Sequence, residues 1–135
     1  MRILLLGGSG RLGNAFLRCF NEGSILAPAR EELDVFNLPA LEKYVKDQHP
    51  DWIVNLISYN AVDKAEVDER ATAFKINTEL PGLIAKVAAH FDIPLIHFST
   101  DYVFPGNKVQ GYSEFDEPDP LNVYGESKYK GEIEA

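Results

Sequence analysis

Tyr124 and Lys128 stand four residues apart in Tyr124-Gly125-Glu126-Ser127-Lys128. On a helix that spacing is about one turn, so both side chains leave one face, ~6 Å apart along the axis. A phenol titrates near ~10 and is a slow proton donor at neutral pH, but a neighbouring ammonium stabilises the phenolate and lowers that value. The pair suits general acid–base chemistry, and the lysine could also hold ribose hydroxyls. The same spacing arises by chance on amphipathic helices, and Tyr129, one step on, illustrates this. A second piece is Phe98-Ser99-Thr100-Asp101, at the end of an apolar run. Thr100 could hydrogen-bond a carbonyl oxygen shared with Tyr124, or Ser99 and Thr100 could simply end a strand and begin a turn.

The third piece opens the chain. Gly7-Gly8-Ser9-Gly10-Arg11-Leu12-Gly13 places glycines at 7, 10 and 13, after an apolar strand and before a helical pattern. A sharp turn, close approach to a pyrophosphate and tight helix–strand packing each favour a residue without Cβ. The helix N-terminus adds free N–H groups and partial positive charge. A dinucleotide is the expected ligand; a ligand-free glycine turn is the plainer reading. No Lys-Ser/Thr pair follows, which argues against a triphosphate-binding loop. The second strand should end near Ala29-Arg30, where Arg30, helped by Arg11, could pair with the 2′-phosphate of NADP, whereas an acidic residue would bind the ribose of NAD. NADP(H) is therefore favoured, with NAD(H) the alternative, unless both arginines are merely solvated. Asp34 either faces an adenine ribose with Val35 or caps a turn.

The elements that must position these pieces follow from periodicity. Arg2–Leu6, Ser24–Pro28, Trp52–Ile57 and Ile93–Ser99 read as short buried strands, with Leu33–Val35 a stub of another. Gly10–Glu22 reads as a helix burying Leu12, Ala15, Phe16 and Cys19, ended by Gly23. Leu38, Leu41, Tyr44 and Val45 mark a second helix to about Gln48. A long helix is expected from Asp68 to Phe91, with Pro81 kinking it or opening a new first turn. Residues 105–121 are a loop. Asn122 caps a last helix still running at Ala135. Strands alternating with helices predict an α/β, Rossmann-type doubly wound parallel sheet with helices on both faces. Residues 1–135 read as one NAD(P)-binding domain, truncated before its final strands and a substrate domain.

Composition narrows the partners. A formal net charge of −8 disfavours nucleic acid and anionic membranes. No run approaches the ~18–20 apolar residues of a membrane span. The single cysteine, Cys19, excludes an intrachain disulfide and suits a cytoplasmic setting. His49, His90 and His97 are scattered, so no metal is expected.

The glycine spacing of three and three resembles the extended short-chain dehydrogenases/reductases. Ser99-Thr100-Asp101-Tyr102-Val103-Phe104, Gly106, Leu121-Asn122-Val123-Tyr124-Gly125 through Ser127-Lys128, Gly131-Glu132, and Asn55–Glu66 closely resemble the dTDP-4-dehydrorhamnose reductase family, and the likeness runs the length of the chain. It implies Thr100, Tyr124 and Lys128 as a catalytic triad and Asp101 at a substrate contact. It further implies Gly10, Arg11, Leu12, Ile57, Ser58, Tyr59 and Phe98 as cofactor contacts, joined by Gly7, Gly13, Tyr124 and Lys128. Asp34-Val35 resembles that family's adenine-contacting pair. Asn77 resembles a helix asparagine that braces the lysine, though its residue type alone fits a helix-surface amide equally. Leu56-Ile57-Ser58 departs from the small alanines usual there. The implied reaction is hydride transfer to the 4-keto carbon of a dTDP-linked deoxysugar in rhamnose and cell-surface polysaccharide synthesis. A homodimer is left open, and a segment of this length is expected to be inactive alone. Nucleotide-sugar dehydratases need an Asp-Glu pair after the threonine, where Tyr102 stands instead; epimerases typically lack the Thr-Asp-Tyr-Val-Phe segment. A non-catalytic relative, resembling the regulatory subunit of methionine adenosyltransferase, is the alternative from another class.

Overall fold

The structure is a computed structural model that describes residues 1–20 and 23–135. Ile3–Leu6 (β1) is four apolar residues, all buried, and takes the centre of a four-stranded parallel sheet. Ile25–Leu26 (β2) lies on one side of it, with Trp52–Asn55 (β3) and then Leu95–His97 (β4) on the other. The order is β2-β1-β3-β4, in the register Leu6↔Asn55 and Asn55↔His97. The chain thus leaves β1 to one side and returns to the other, creating a switch point above the carboxyl ends of β1 and β3. Open α/β sheets bind ligands at such points.

Both faces of the sheet are apolar because alternate strand residues point opposite ways. Leu4, Leu6 and Ile53 meet Leu41 and Val45 of α2 (Leu38–Gln48) and Leu80, Ile84 and Val87 of α5 (Leu80–His90). Ile3, Leu5 and Val54 meet Phe16 of α1 (Arg11–Cys19). Asn37 caps α2 through Ala40 N–H, with Pro39 in the first turn, as such a helix start favours.

The regular structure expected from the sequence is present, with four departures. Cys19 is exposed rather than buried. Gly13 sets the face of α1 that meets the sheet, and at ~100° per residue Cys19 lies ~120° round from it. Leu12 is also half-exposed, toward the glycine turn. The last residues of the expected helix, 21 and 22, lie outside the described ones. Second, Leu33–Val35 forms no strand: Leu33 N–H bonds Ala29 O, and the Asp34 carboxylate takes Phe36 N–H, which closes turns instead. Leu33 still reaches the core. Third, the helix expected from Asp68 is broken into α4 (Arg70–Phe74), a π-helical turn at Lys75–Glu79, and α5, and an unforeseen short helix, α3 (Val62–Val67), precedes it. The wide turn precedes Pro81, which therefore sits in the first turn of α5, where a missing N–H costs nothing. Fourth, β3 and β4 stop short of Ile57 and Ser99; at the end of β3, Asn55 turns its side-chain oxygen onto Ile57 N–H. Asp101–Val103 is a single 3-10 turn, and α6 (Val123–Glu134) closes the described chain with Asn122 accepting from Gly125 N–H.

Candidate active site

The glycine turn is shaped by contacts that admit no side chain. Gly7 has φ +87°, and a Cβ there would stand 2.9 Å from the Ile57 amide nitrogen. At Gly13 a Cβ would meet the Gly7 carbonyl oxygen at 2.4 Å, so the helix can only approach the strand bare. Gly10 begins α1 with no side-chain cap, and no acidic residue stands in the first turn. The first N–H groups of that helix are therefore left to an external acceptor, which an anion satisfies best.

From this turn runs a groove of about 810 Å³ across the switch point. Gly7, Gly10, Arg11, Leu12 and Gly13 form its floor at one side, while Arg30, Asp34 and Val35 line its outer end. Ile57, Ser58 and Asn60 line the other wall. Arg11 and Arg30 are exposed and make no ion pair among the described residues. Asp34 lines the groove and also closes its turn. Ten of the cofactor candidates thus meet in one depression.

Tyr59 does not. Its ring packs with Ala65, Ala73, Phe74 and Val123, and its hydroxyl donates to Glu69 Oε2 at 2.6 Å. Burial, the hydrogen bond to Glu69 and the charge of that carboxylate together push its phenol up to about 12. Tyr59 is a strut beneath the 58–60 loop. Phe98 also lies outside the groove and is 43% exposed, but its carbonyl oxygen accepts from Lys128 Nζ.

The helix carrying Tyr124 and Lys128 is held very close to its neighbours. A Cβ at Gly125 would fall 2.2 Å from Tyr102 O, and one at Gly131 would fall 2.0 Å from Asn77 O. Motif reading includes these two glycines but not the reason for them, which arises only from the backbone that packs against them. Lys128 is 2% exposed, and burial brings its ammonium down to about 8, with Glu132 one turn on opposing the shift. Tyr124 points its hydroxyl at Asn60 Oδ1, 3.3 Å away, and meets the Tyr102 ring edge-on at 5.6 Å. Thr100 stands at the start of the 3-10 turn, where its Oγ1 accepts from Tyr102 N–H at 3.3 Å and donates to Asp101 Oδ1 at 3.3 Å. Tyr102 thus links Thr100 to Tyr124, and Asn60 links Tyr124 to the groove.

Asn77 is fully buried, not a surface amide. Its oxygen takes Tyr59 N–H at 2.8 Å, and its nitrogen donates to Tyr59 O and to Ser127 Oγ, each at 3.0 Å. It therefore ties the Tyr59 backbone to Ser127, the neighbour of Lys128 on α6. The strand ends add a pair the sequence left unread: Asn55 Nδ2 lies 3.1 Å from His97 Nδ1. With Asn55 Oδ1 committed to Ile57 N–H, the amide nitrogen donates, so the neutral imidazole carries its proton on Nε2. That nitrogen is buried without a partner among the described residues. Burial, then the charge of Lys128, holds His97 down at about 4. Among the described residues there is no cluster of His, Cys, Asp or Glu fit for a metal, and no helix is long and apolar enough to cross a membrane.

Residues 1–134 match the family described as the RmlD substrate binding domain. The dTDP-4-dehydrorhamnose reductase of Burkholderia thailandensis is 39% identical over 134 residues, which cover 98% of this chain and 45% of that protein. The Escherichia coli protein of the same name is 41% identical over 137 residues, covering 98% and 46%. A crystal structure of dTDP-4-dehydrorhamnose reductase from Bacillus anthracis in complex with NADP superposes with a TM-score of 0.92 at 34% identity, over 98% of this chain and 48% of that one. The chain spans about half the length of the relatives it matches.

Proposed function

The chain belongs to the RmlD substrate binding domain family, and from that premise we propose that residues 1–135 are the NADP(H)-binding Rossmann part of a nucleotide-sugar ketoreductase. The reaction is reduction of the 4-keto group of a dTDP-linked deoxysugar, dTDP-4-dehydrorhamnose to dTDP-rhamnose, with NADH as the alternative reductant. One observation carries this reading: a single groove joins the bare glycine turn to Asn60, and the Tyr124 phenol is hydrogen-bonded there.

The residues present fit a dinucleotide. Uncapped N–H groups at the start of α1 would take the diphosphate, and the glycines leave room for its oxygens. Arg30, with Arg11, would meet a 2′-phosphate at the outer end, beside Asp34 and Val35. Ile57 and Ser58 would wall the nicotinamide end. When bound, the cofactor supplies the hydride. Tyr124 donates its proton to the carbonyl oxygen, and Thr100 holds that oxygen by its hydroxyl. Lys128 favours the resulting phenolate by its charge, and Asp101 contacts the sugar. We assign most sugar-nucleotide contacts to the further half that relatives possess.

The test is consumption of NADPH by the polypeptide carrying this segment, given a dTDP-4-keto-deoxysugar. Turnover supports the proposal; cofactor binding without turnover in that polypeptide favours a regulatory role and sinks it. Residues 1–135 alone should bind NADPH and reduce nothing. Arg30→Ala should weaken NADPH binding roughly tenfold while leaving NADH within about twofold, measured by calorimetric titration.

A further inference from the structure

Asn60 lies on a loop, carries no part of the reaction as written above, and yet touches the reacting phenol. Its Oδ1 stands 3.3 Å from Tyr124 OH and 2.8 Å from Ser58 Oγ, and both hydroxyls donate to it. Its side chain lines the groove. No acceptor among the described residues takes its Nδ2 hydrogens. We propose that Asn60 is a positioning residue for Tyr124: its carboxamide oxygen fixes the phenol hydroxyl at the groove's end, and its amide nitrogen donates to the ligand lying there. This rests on reading Tyr124 as the proton donor.

The spacing between the two groups is set by one buried side chain. Asn77 grips Tyr59 on both its N–H and its carbonyl, at 2.8 and 3.0 Å, which fixes the loop presenting Asn60. The same amide donates to Ser127 Oγ at 3.0 Å, and Ser127 in turn donates to the Tyr124 carbonyl at 2.7 Å. Donor helix and acceptor loop are thus fastened to a common point. Such a supporting shell keeps a reacting group within a fraction of an ångström of its working place. The electrostatic consequence follows from the direction of the bond. A phenol that donates to a neutral oxygen is stabilised in its protonated form relative to one without that acceptor.

Ionisation of Tyr124 reads this directly, without any assay of turnover. Ring-labelled tyrosine in the chain is titrated by carbon NMR, and Tyr124→Phe assigns its resonance. Asn60→Asp places a carboxylate against the phenol and should raise the Tyr124 midpoint by about one pH unit or more. Asn60→Ala removes the acceptor and should lower it by several tenths of a unit. The other groups near the phenol are Lys128 on its own helix, Tyr102 and Asp101 in the 3-10 turn, and Glu66 of α3, which accepts from Val123 N–H. All are unchanged between variants, so differences report Asn60 alone. A midpoint unmoved by both substitutions overturns the proposal. In the polypeptide carrying this segment, Asn60→Ala should also lower kcat about tenfold and displace its pH profile, whereas unaltered kcat at every pH would overturn the role. Titration shifts as expected in a polypeptide that reduces no keto sugar would leave Asn60 in place and remove the reductase reading instead.

Discussion

Lys128 is a nearly enclosed ammonium whose hydrogen-bonded partner is a neutral carbonyl. Its folded-state value of about 8 lies below its ordinary 10.5. The stability linked to it is therefore complete above 10.5 and is lost as pH falls through about 8. Lys128→Met should raise Tm by several degrees at neutral pH, with the advantage fading toward pH 10.5. A Tm difference independent of pH in that window would contradict the assignment. His97 has the same sign at lower pH. Held at about 4 against an ordinary 6.5, it contributes stability that is present above 6.5 and lost as pH falls through about 4. His97→Asn should flatten the acid side of the Tm profile in that interval, measured by thermal melts at constant ionic strength.

At the scale of elements, the placement of α6 depends on two bare backbone contacts. Gly125 lets Tyr102 O in, and Gly131 lets Asn77 O in, at distances no Cβ could tolerate. In both cases the obstacle is backbone, so a methyl group cannot be relieved by a rotamer change. Gly131→Ala should destabilise the chain by about 1–3 kcal/mol, seen as a lower urea midpoint, although alanine is the better helix former. The π-helical turn at Lys75–Glu79 serves the same end. It directs Asn77 inward to Tyr59 and Ser127, and it carries Thr78, whose hydroxyl donates to Ser127 O at 2.7 Å. Wide turns of this kind often mark functional segments, and this one brings the loop of Asn60 and the helix of Tyr124 together.

At the scale of the whole molecule, the two faces of the sheet are unequally covered. The face toward α2 and α5 holds the larger core, whereas α1 covers only part of the other. Ile96 shares that second face through its register with Val54 and is 42% exposed; Phe98 beyond it and Trp52 are exposed to a similar degree. β4 is also the edge of the sheet, with unpaired backbone groups beside this apolar surface. Such an edge invites association. Residues 1–135 should self-associate with rising concentration, and Ile96→Glu should reduce this in sedimentation velocity; a monomer at all concentrations would show that the surface is inert.

Most of the architecture was legible in the chain. Continuous apolar runs gave β1, β3 and β4, because strands buried on both faces need no polar alternation. The Asn122 cap fixed one helix start, and the glycines at 7, 10 and 13 marked the tight turn between β1 and α1, since each is a local demand of the backbone. Residues 33–35 misled because two apolar residues flanking an aspartate do not reveal that Asp34 will close a turn, and Cys19 misled because helical spacing does not say which stripe meets the sheet. The sequence by itself determined the fold class, the glycine turn and the placing of Tyr124 and Lys128 one turn apart on the last helix, all of which follow from short-range spacing. Only the tertiary structure decided that Tyr59 is a strut, that Asn77 is a buried brace, and that Asn60 receives the phenol. Those roles arise between residues 18 to 64 positions apart, and chain distance carries no information about which side chains meet when a sheet and its helices close.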